Sequence, residues 1–354
     1  MKILYDYQIL AQKFGGISRY FYELASILRE KGDDVDVSCL VTKNVYFKDY
    51  FKIKRMEFDP SKYVIRLNKL YTLLHKVKRY DIVHATYYDP CILRGFKGKL
   101  VTTVHDMNYE IFNIEDGTNT IENKKRHIYE SDKIIAVSNN TKKDILKFYP
   151  DIPEDKIVVV YHGNSLRPND KKITFELPKK YILFIGARDA DYKNFANFIR
   201  ACVPLLNSDL DLSILCGGSK FNQKEMDLFK ELGIENRVSS HFFEDYEAYH
   251  MYKNALCFVY PSIYEGFGIP LLESMASSCP VVCANASCFP EIARDGAVYF
   301  NGEDINDMTD KIKSVIYDED KRQELIKRGL EIEKDFSWEK CALETRKVYE
   351  DLLK

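Results

Sequence analysis

Short apolar runs alternate with longer stretches of helical period along the whole chain. Runs at 3–5, 35–40, 81–85, 100–105, 133–137 and 157–161 read as buried strands, and 18–30, 61–79 and 141–149 carry helical periodicity between them. The segment 166–180 is polar and contains Pro168 and Pro178, which is linker composition. The pattern then restarts. Strands are expected at 181–186, 212–217, 238–243, 256–260, 281–284 and 298–300, with helices at 194–206, 224–232, 270–277 and 305–317. From Asp320 the chain is charged and helical, with a break near Phe336-Ser337-Trp338. Strands alternating with helices predict parallel sheets covered on both faces. The expectation is an α/β protein of two Rossmann-like domains whose sheets face a cleft. The first is 1–168 plus a C-terminal helix, 337–354, that crosses back to it; the second is 169–336. In such sheets ligands bind outside the carboxyl ends of the strands.

Composition narrows the classes. The 354 residues are 45% hydrophobic and 30% charged, with a net charge of -2, which excludes a disordered or collagen-like chain. No apolar stretch approaches the ~18 residues of a membrane span. Asp6 interrupts the N-terminal apolar run, unlike a secretory signal, so a cytoplasmic protein is expected. Nine scattered cysteines without a C-x-x-C pair argue against zinc and for buried, reduced thiols. Residues 1–168 hold 28 Lys+Arg against 22 Asp+Glu, and the rest 24 against 32. That asymmetry suits two domains with different partners but is too mild for nucleic-acid binding.

Candidate chemistry gathers at predicted strand ends. Gly15-Gly16 follows the first strand and precedes a helix, with Ser18 as a candidate cap and Gly32 as a stop. Paired glycines let a ligand approach the helix N-terminus closely, although a plain turn explains them equally well. The pattern is not G-x-G-x-x-G, which counts against a dinucleotide oxidoreductase. Arg188 and Lys193 share the loop after strand 181–186 and could clamp a diphosphate; a solvated loop is the blander alternative. Asp189 and Asp191 form a D-x-D in the same loop. Four such triplets occur, against about two by chance, so no metal site is read.

The most informative stretch runs from Tyr260 to Glu273. A strand ends, a loop with Gly266, Phe267 and Gly268 follows, and a helix starts near Pro270. Glu265 lies on the loop, and Glu273 is placed in the first helical turn; the blander alternative, Glu273 complementing the helix dipole and Glu265 solvated, does not account for the whole constellation. Carboxylates suit sugar hydroxyls, and loop amides suit phosphate. His105 and His84 each end a strand and are expected to point into the cleft, although a lone histidine is more often structural than catalytic.

At these residues the chain resembles the glycosyltransferases of family four, which have the GT-B fold and retain anomeric configuration. The resemblance rests on Glu265 to Glu273 as an E-x7-E, on Gly15-Gly16, His105, Arg188 with Lys193, and Phe336-Ser337-Trp338. Cys279-Pro-Val-Val and Phe289-Pro-Glu-Ile also fit. It implies a nucleotide-sugar donor in the second domain and an acceptor in the first, with no cofactor and no metal. By that resemblance Glu273 binds the ribose, Glu265 contacts the donor sugar and Gly266 to Gly268 help hold sugar and phosphate. Arg188 and Lys193 neutralise the diphosphate, His105 lies close to the reacting sugar, and Gly15-Gly16 approaches the phosphate. No nucleophile is evident opposite the phosphate, so a front-face mechanism is the preferred one. The pattern looks most like bacterial mannosyltransferases of polysaccharide and lipopolysaccharide assembly, which favours GDP-mannose. The alternatives are a UDP-sugar transferase of the same fold, a GT-B sugar-nucleotide epimerase, and a non-catalytic sugar-nucleotide binder. His162-Gly163-Asn164 and Ser277-Ser278-Cys279 depart from the family's usual runs.

The acceptor would be a glycan or a lipid-linked glycan. Residues 44–80 hold ten Lys+Arg against three Asp+Glu. Lys62, Arg66, Lys69, Lys76, Lys78 and Arg79 accompany Tyr63, Ile65, Leu67, Leu70, Tyr71, Leu73, Leu74 and Val77 on the helix expected over 61–79. Such a basic amphipathic helix can lie peripherally on the anionic inner face of a membrane; a solvated basic face is the alternative.

Overall fold

The computed structural model describes residues 1–13, 15–47, 54–55 and 61–354, with backbone alone at 54–55 and 61–64. The chain divides into two units, Met1–Gly163 joined by Trp338–Lys354, and Asn164–Ser337.

In the first unit the strands are β1 (Lys2–Tyr5), β2 (Asp34–Val37), β3 (Val41–Thr42), β4 (Lys54–Arg55), β5 (Arg79–Ala85), β6 (Lys97–Val104), β7 (Lys133–Ala136) and β8 (Ile157–Val159). The helices are α1 (Gly16–Glu30), α2 (Ser61–His75), α3 (Asn108–Phe112), α4 (Thr120–Glu130) and α5 (Asn139–Phe148). Six strands form a sheet in the order β2-β1-β5-β6-β7-β8, and β3 pairs with β4 separately. All these pairings are parallel.

The second unit contains β9 (Tyr181–Ile185), β10 (Ser213–Gly217), β11 (Val238–His241), β12 (Cys257–Tyr260), β13 (Val281–Ala284) and β14 (Ala297–Phe300). Its helices are α6 (Phe195–Ser208), α7 (Gln223–Glu231), α8 (Asp245–Lys253), α9 (Ile269–Ala276), α10 (Phe289–Ala293), α11 (Ile305–Ile316) and α12 (Glu319–Glu333). The parallel order β11-β10-β9-β12-β13-β14 reverses direction between β9 and β12. Ligands of open α/β sheets bind at such a switch point, which marks the carboxyl ends of those two strands. Every residue of β9, β12 and β13 is buried, as expected when helices cover both faces of a parallel sheet.

The last helix, α13 (Trp338–Leu352), belongs to the first unit. Tyr349 and Tyr5 bring their hydroxyls within 3.3 Å of each other. Arg346 Nε donates to Asp33 at 2.7 Å, and the same carboxylate takes the N-terminal ammonium at 2.7 Å. Together the two donors hold the Asp33 carboxyl below the ordinary carboxylate range, against the opposing effect of burial.

Several elements differ from the sequence pattern. α2 stops at His75, so Lys76, Val77, Lys78 and Arg79 leave the helix and Arg79 opens β5. α4 was not foreseen because its sequence, TIENKKRHIYE, is polar. It is fixed by a few inward groups, among them Lys124, His127 and Ile128.

α2 also inverts the expected polarity. Its buried positions are Asn68, Thr72 and His75, while Leu67, Leu70 and Leu74 are 47%, 62% and 62% exposed. The polar face is built for its neighbours. Asn68 accepts from Leu40 and Val41 N–H and donates to the Val41 carbonyl, Thr72 donates to the Ser38 carbonyl, and His75 bonds Tyr80. Lys62 and Tyr63, which the sequence pattern also assigned to this face, have side chains outside the described residues.

Candidate active site

In the second unit, three loops after β9, β12 and β13 bring the predicted donor residues together. Gly186 leaves β9 with φ +148, and the chain continues through Arg188 to a short turn, Asp191–Lys193. Lys193 Nζ donates to Glu265 Oε1 at 2.6 Å, joining the β9 and β12 loops by a mostly buried ion pair. The Glu265 carboxylate is also hydrogen-bonded to the buried Tyr260 hydroxyl. Its backbone is held from the β13 loop. Glu265 N–H donates to Ser287 Oγ at 3.2 Å, Ser287 Oγ donates back to the Glu265 carbonyl, and Cys288 Sγ approaches that carbonyl at 3.2 Å.

Gly268 caps α9 in the left-handed region at φ +86. A Cβ there would meet Phe289 at 3.1 Å and Leu271 at 3.2 Å, so the loop's close turn depends on glycine. Gly266 and Phe267 lie buried in the loop, and the Phe267 ring packs edge-on against Phe336 at 5.9 Å. Glu273 stands one position beyond the first turn of α9, not within it as the sequence suggested, because the helix already begins at Ile269. It therefore does not serve the helix dipole. Its Oε2 accepts from the buried Tyr252 hydroxyl at 3.3 Å, leaving it half-exposed beside the loop. Asn164 Nδ2 reaches the carbonyl of neighbouring Leu272 at 3.4 Å and Glu333 at 3.2 Å, tying α9 to α12.

Arg188 sits differently from an open phosphate clamp. Its side chain is 3% exposed, and Nε donates to Glu225 Oε1 at 2.5 Å. Nη2 donates to the Ser219 carbonyl at 2.7 Å, and the guanidinium lies 5.6 Å from the Phe195 ring and 5.0 Å from Phe221. Nη1 remains buried with no hydrogen-bond partner among the described residues. It faces Gly218, 3.5 Å from where a Cβ would stand. Only this one nitrogen of the fork lacks a protein partner among the described residues, and it is buried. Asp189 and Asp191 line a cavity of about 750 Å³ together with Arg200 and Lys224. No cluster of three or more His, Cys, Asp or Glu suited to a metal ion occurs among the described residues.

In the first unit, Gly15 is the N-cap of α1, and Gly16 is its first residue. Ser18 is not the cap; its hydroxyl donates to the Gly15 carbonyl at 2.9 Å. Gly32 follows the helix with φ +91, the turn a C-terminal glycine permits. His84 does not project from the sheet. It is fully buried, with Nδ1 bonded to the Tyr349 hydroxyl at 2.5 Å and Nε2 to Thr103 at 2.8 Å. Burial pushes its pKa down to about 3, so it is a neutral structural imidazole.

His105 follows β6 and stacks on His162, with ring centroids 5.5 Å apart, while Tyr20 packs edge-on at 5.1 Å. Its Nε2 is buried and has no hydrogen-bond partner among the described residues. Burial, then the neighbouring His162, His84 and Lys124, depress its pKa well below the usual histidine value. His162, also flanked by Trp338 at 5.6 Å, is a site neighbour the sequence pattern treated only as a departure. Gly218, Ser287, Tyr252 and Lys124 were missed; of these, only Gly218 carried a signal, as the second of two glycines ending a strand.

Residues 14–166 match the family model of Glycosyltransferase Family 4, and residues 167–331 that of Glycosyl transferases group 1. O-antigen chain mannosyltransferase B of Escherichia coli is 27% identical over 268 residues, covering 71% of this chain and 70% of its own length. O-antigen chain mannosyltransferase RfbU of Salmonella typhimurium is 32% identical over 183 residues, spanning 51% of this chain and 50% of its own. Among solved structures, Anabaena HepE in complex with UDP and glucose superposes with a TM-score of 0.74 at 16% identity, covering 99% of this chain and 100% of that one.

Proposed function

The chain is a GT-B glycosyltransferase of the family-four type, and from that premise we propose that it moves mannose from GDP-mannose to a glycan or lipid-linked acceptor, with retention. The observation that carries this reading is the Lys193–Glu265 pair, with Glu273 just past the first turn of the following helix α9, at the strand ends where the order of the second sheet reverses. The choice of mannose is supported by the two named mannosyltransferases; a UDP-sugar is the competing donor.

The pair explains how donor binding and chemistry connect. Without donor, Lys193 is neutralised by Glu265. A diphosphate arriving beside Lys193 competes for the ammonium and frees the carboxylate to accept hydrogen bonds from sugar hydroxyls. Glu273 accepts from the ribose. As the sugar–phosphate bond breaks, negative charge builds on the diphosphate. In this reading Lys193, Arg188 and the loop Gly266 to Gly268 receive it. The sugar carbon becomes positive, and His105, which the family resemblance assigns to the reacting sugar, is held neutral by its surroundings and so would add no repulsion. The departing phosphate oxygen takes the acceptor's proton on the same face, so no covalent sugar–enzyme bond forms.

A nucleotide-release assay with a panel of GDP- and UDP-sugars tests the donor. Turnover with GDP-mannose at a kcat/KM well above every UDP-sugar supports the reading, and the reverse order replaces it. Chelation gives a second expectation. In this reading Lys193, Arg188 and the loop amides supply the charge that a divalent ion would otherwise bring to the diphosphate. Saturating EDTA should leave turnover unchanged; loss restored by manganese would make the D-x-D of Asp189 and Asp191 a metal site.

The apolar stripe Leu67, Leu70 and Leu74, flanked by Arg66 and Lys69, supports contact with an anionic membrane carrying the acceptor. Among the described residues no helix is long and apolar enough to cross a membrane. Binding to phosphatidylglycerol vesicles should exceed binding to phosphatidylcholine vesicles, each basic residue near the surface contributing about 1 kcal/mol. Leu70→Glu with Leu74→Glu should abolish sedimentation with the vesicles. Equal binding before and after those changes would remove α2 from the contact.

A further inference from the structure

Lys124 is a buried cation that the proposed chemistry does not use. Its side chain is 1% exposed, in the middle of α4. The ammonium donates to Glu110 Oε2 at 2.8 Å and to the Asp106 carbonyl at 3.0 Å. It lies 5.5 Å from the ring centroids of both Tyr88 and Tyr109. Glu110 is almost as deeply buried and also accepts from the Tyr149 hydroxyl at 3.2 Å. The Tyr88 hydroxyl, in turn, is hydrogen-bonded to the backbone of His105. Two arms from one ammonium thus reach the same turn, one through the Asp106 carbonyl and one through the Tyr88 ring. A buried Lys–Glu pair is weak as a stabiliser, because apolar residues of similar volume often serve as well. Its cost is better explained by what it holds in place.

We propose that Lys124 is a positioning residue for His105, its buried ammonium pinning the His105–Asp106 turn that carries the imidazole. This rests on the reading of His105 as the group beside the reacting sugar. Lys124 acts on the ring in two ways. It fixes the direction of the turn, and its charge opposes protonation of the ring. The groups facing that ring are His162 stacked on it, Tyr20 edge-on, His84 behind it, and Lys124 itself; the Asp106 carboxylate lies 4.0 Å from the ammonium. Burial contributes most to the depressed pKa, and Lys124 adds to it in the same direction. Because the histidine pKa is lowered, the neutral ring persists as pH falls, and activity is lost only when pH drops through that lowered value. Removing Lys124 also exposes the ring to an uncompensated Glu110 carboxylate, which favours imidazolium.

The test compares wild type, Lys124→Met, Lys124→Arg and the double variant Lys124→Met with Glu110→Gln. In Lys124→Met the acid limb of kcat/KM should move toward neutral pH by about one unit, the size of shift a nearby charge produces. The His105 imidazole, followed by NMR, should titrate upward by a similar amount. Affinity for free GDP should be unchanged. Lys124→Arg should restore the limb, and the double variant should move it less than Lys124→Met. A variant that keeps wild-type circular dichroism and GDP affinity, yet shows neither the limb shift nor the NMR shift, would overturn the proposal. Should Lys124→Met not fold, the double variant decides: a limb and an NMR titration that coincide with wild type overturn it as well. His105→Ala separates the two levels. Full turnover in that variant would sink the reading of His105, whereas an inactive His105→Ala beside an unmoved limb would sink only the role of Lys124.

Discussion

Glu265→Ala should lower turnover by roughly 10²–10³-fold, the range seen when one preorganised charge-stabilising group is removed. The reason lies in its position. Its backbone is fixed by Ser287 and Cys288, and its carboxylate by Lys193 and Tyr260. Its proposed partner is the sugar, the part of the donor that changes charge and shape during transfer, so its interactions strengthen toward the transition state. Free GDP lacks that sugar. The variant also leaves Lys193 unpaired and more available to phosphate. Affinity for GDP should therefore hold or rise while kcat falls. Steady-state kinetics with calorimetry separates the two quantities, and a parallel loss of GDP affinity would move Glu265 to the nucleotide.

Glu273→Ala should do the opposite. Ribose contacts are the same in ground state and transition state, so their loss weakens binding without slowing the bound complex. A hydrogen bond to a charged group contributes roughly 1.5–3 kcal/mol, which corresponds to about a 10- to 100-fold weaker GDP complex. The Tyr252 hydroxyl loses its acceptor as well. Glu273→Gln keeps an acceptor for Tyr252 and controls for local disorder. Equal GDP affinity in wild type and Glu273→Ala would contradict the assignment.

The second unit was the more legible half. Its central strands are buried on both faces and appear as uninterrupted apolar runs such as Tyr181–Ile185. The alternation of those runs with helices predicts a parallel sheet, whereas the point at which its strand order reverses is seen only in the fold. Glu265 and Lys193 could be named because each lies in a loop directly after such a strand. What they do to each other could not, since the pair is separated by 72 residues in sequence.

The same limit explains the differences. Arg188 looked free because Glu225, 37 residues away, carries no local sign of pairing with it. His84 looked like a site residue because it ends a strand, but Tyr349, 265 residues on, covers it. α2 has the period of an amphipathic helix, and period alone does not say which face is inside. Asn68, Thr72 and His75 turn inward because Val41, Ser38 and Tyr80 offer them partners, and the leucines are left outside. α4 was hidden by its polarity, although its buried Lys124 has its charge balanced by Glu110.

Hydrogen–deuterium exchange on the full chain, with and without saturating GDP-mannose, addresses the location of the donor most directly. The account predicts slowed exchange in three loops of the second unit: 186–193 after β9, 218–220 after β10, and 261–273 after β12 and into α9. A donor shown by calorimetry to be bound, yet leaving those loops unprotected while slowing exchange elsewhere, would contradict it.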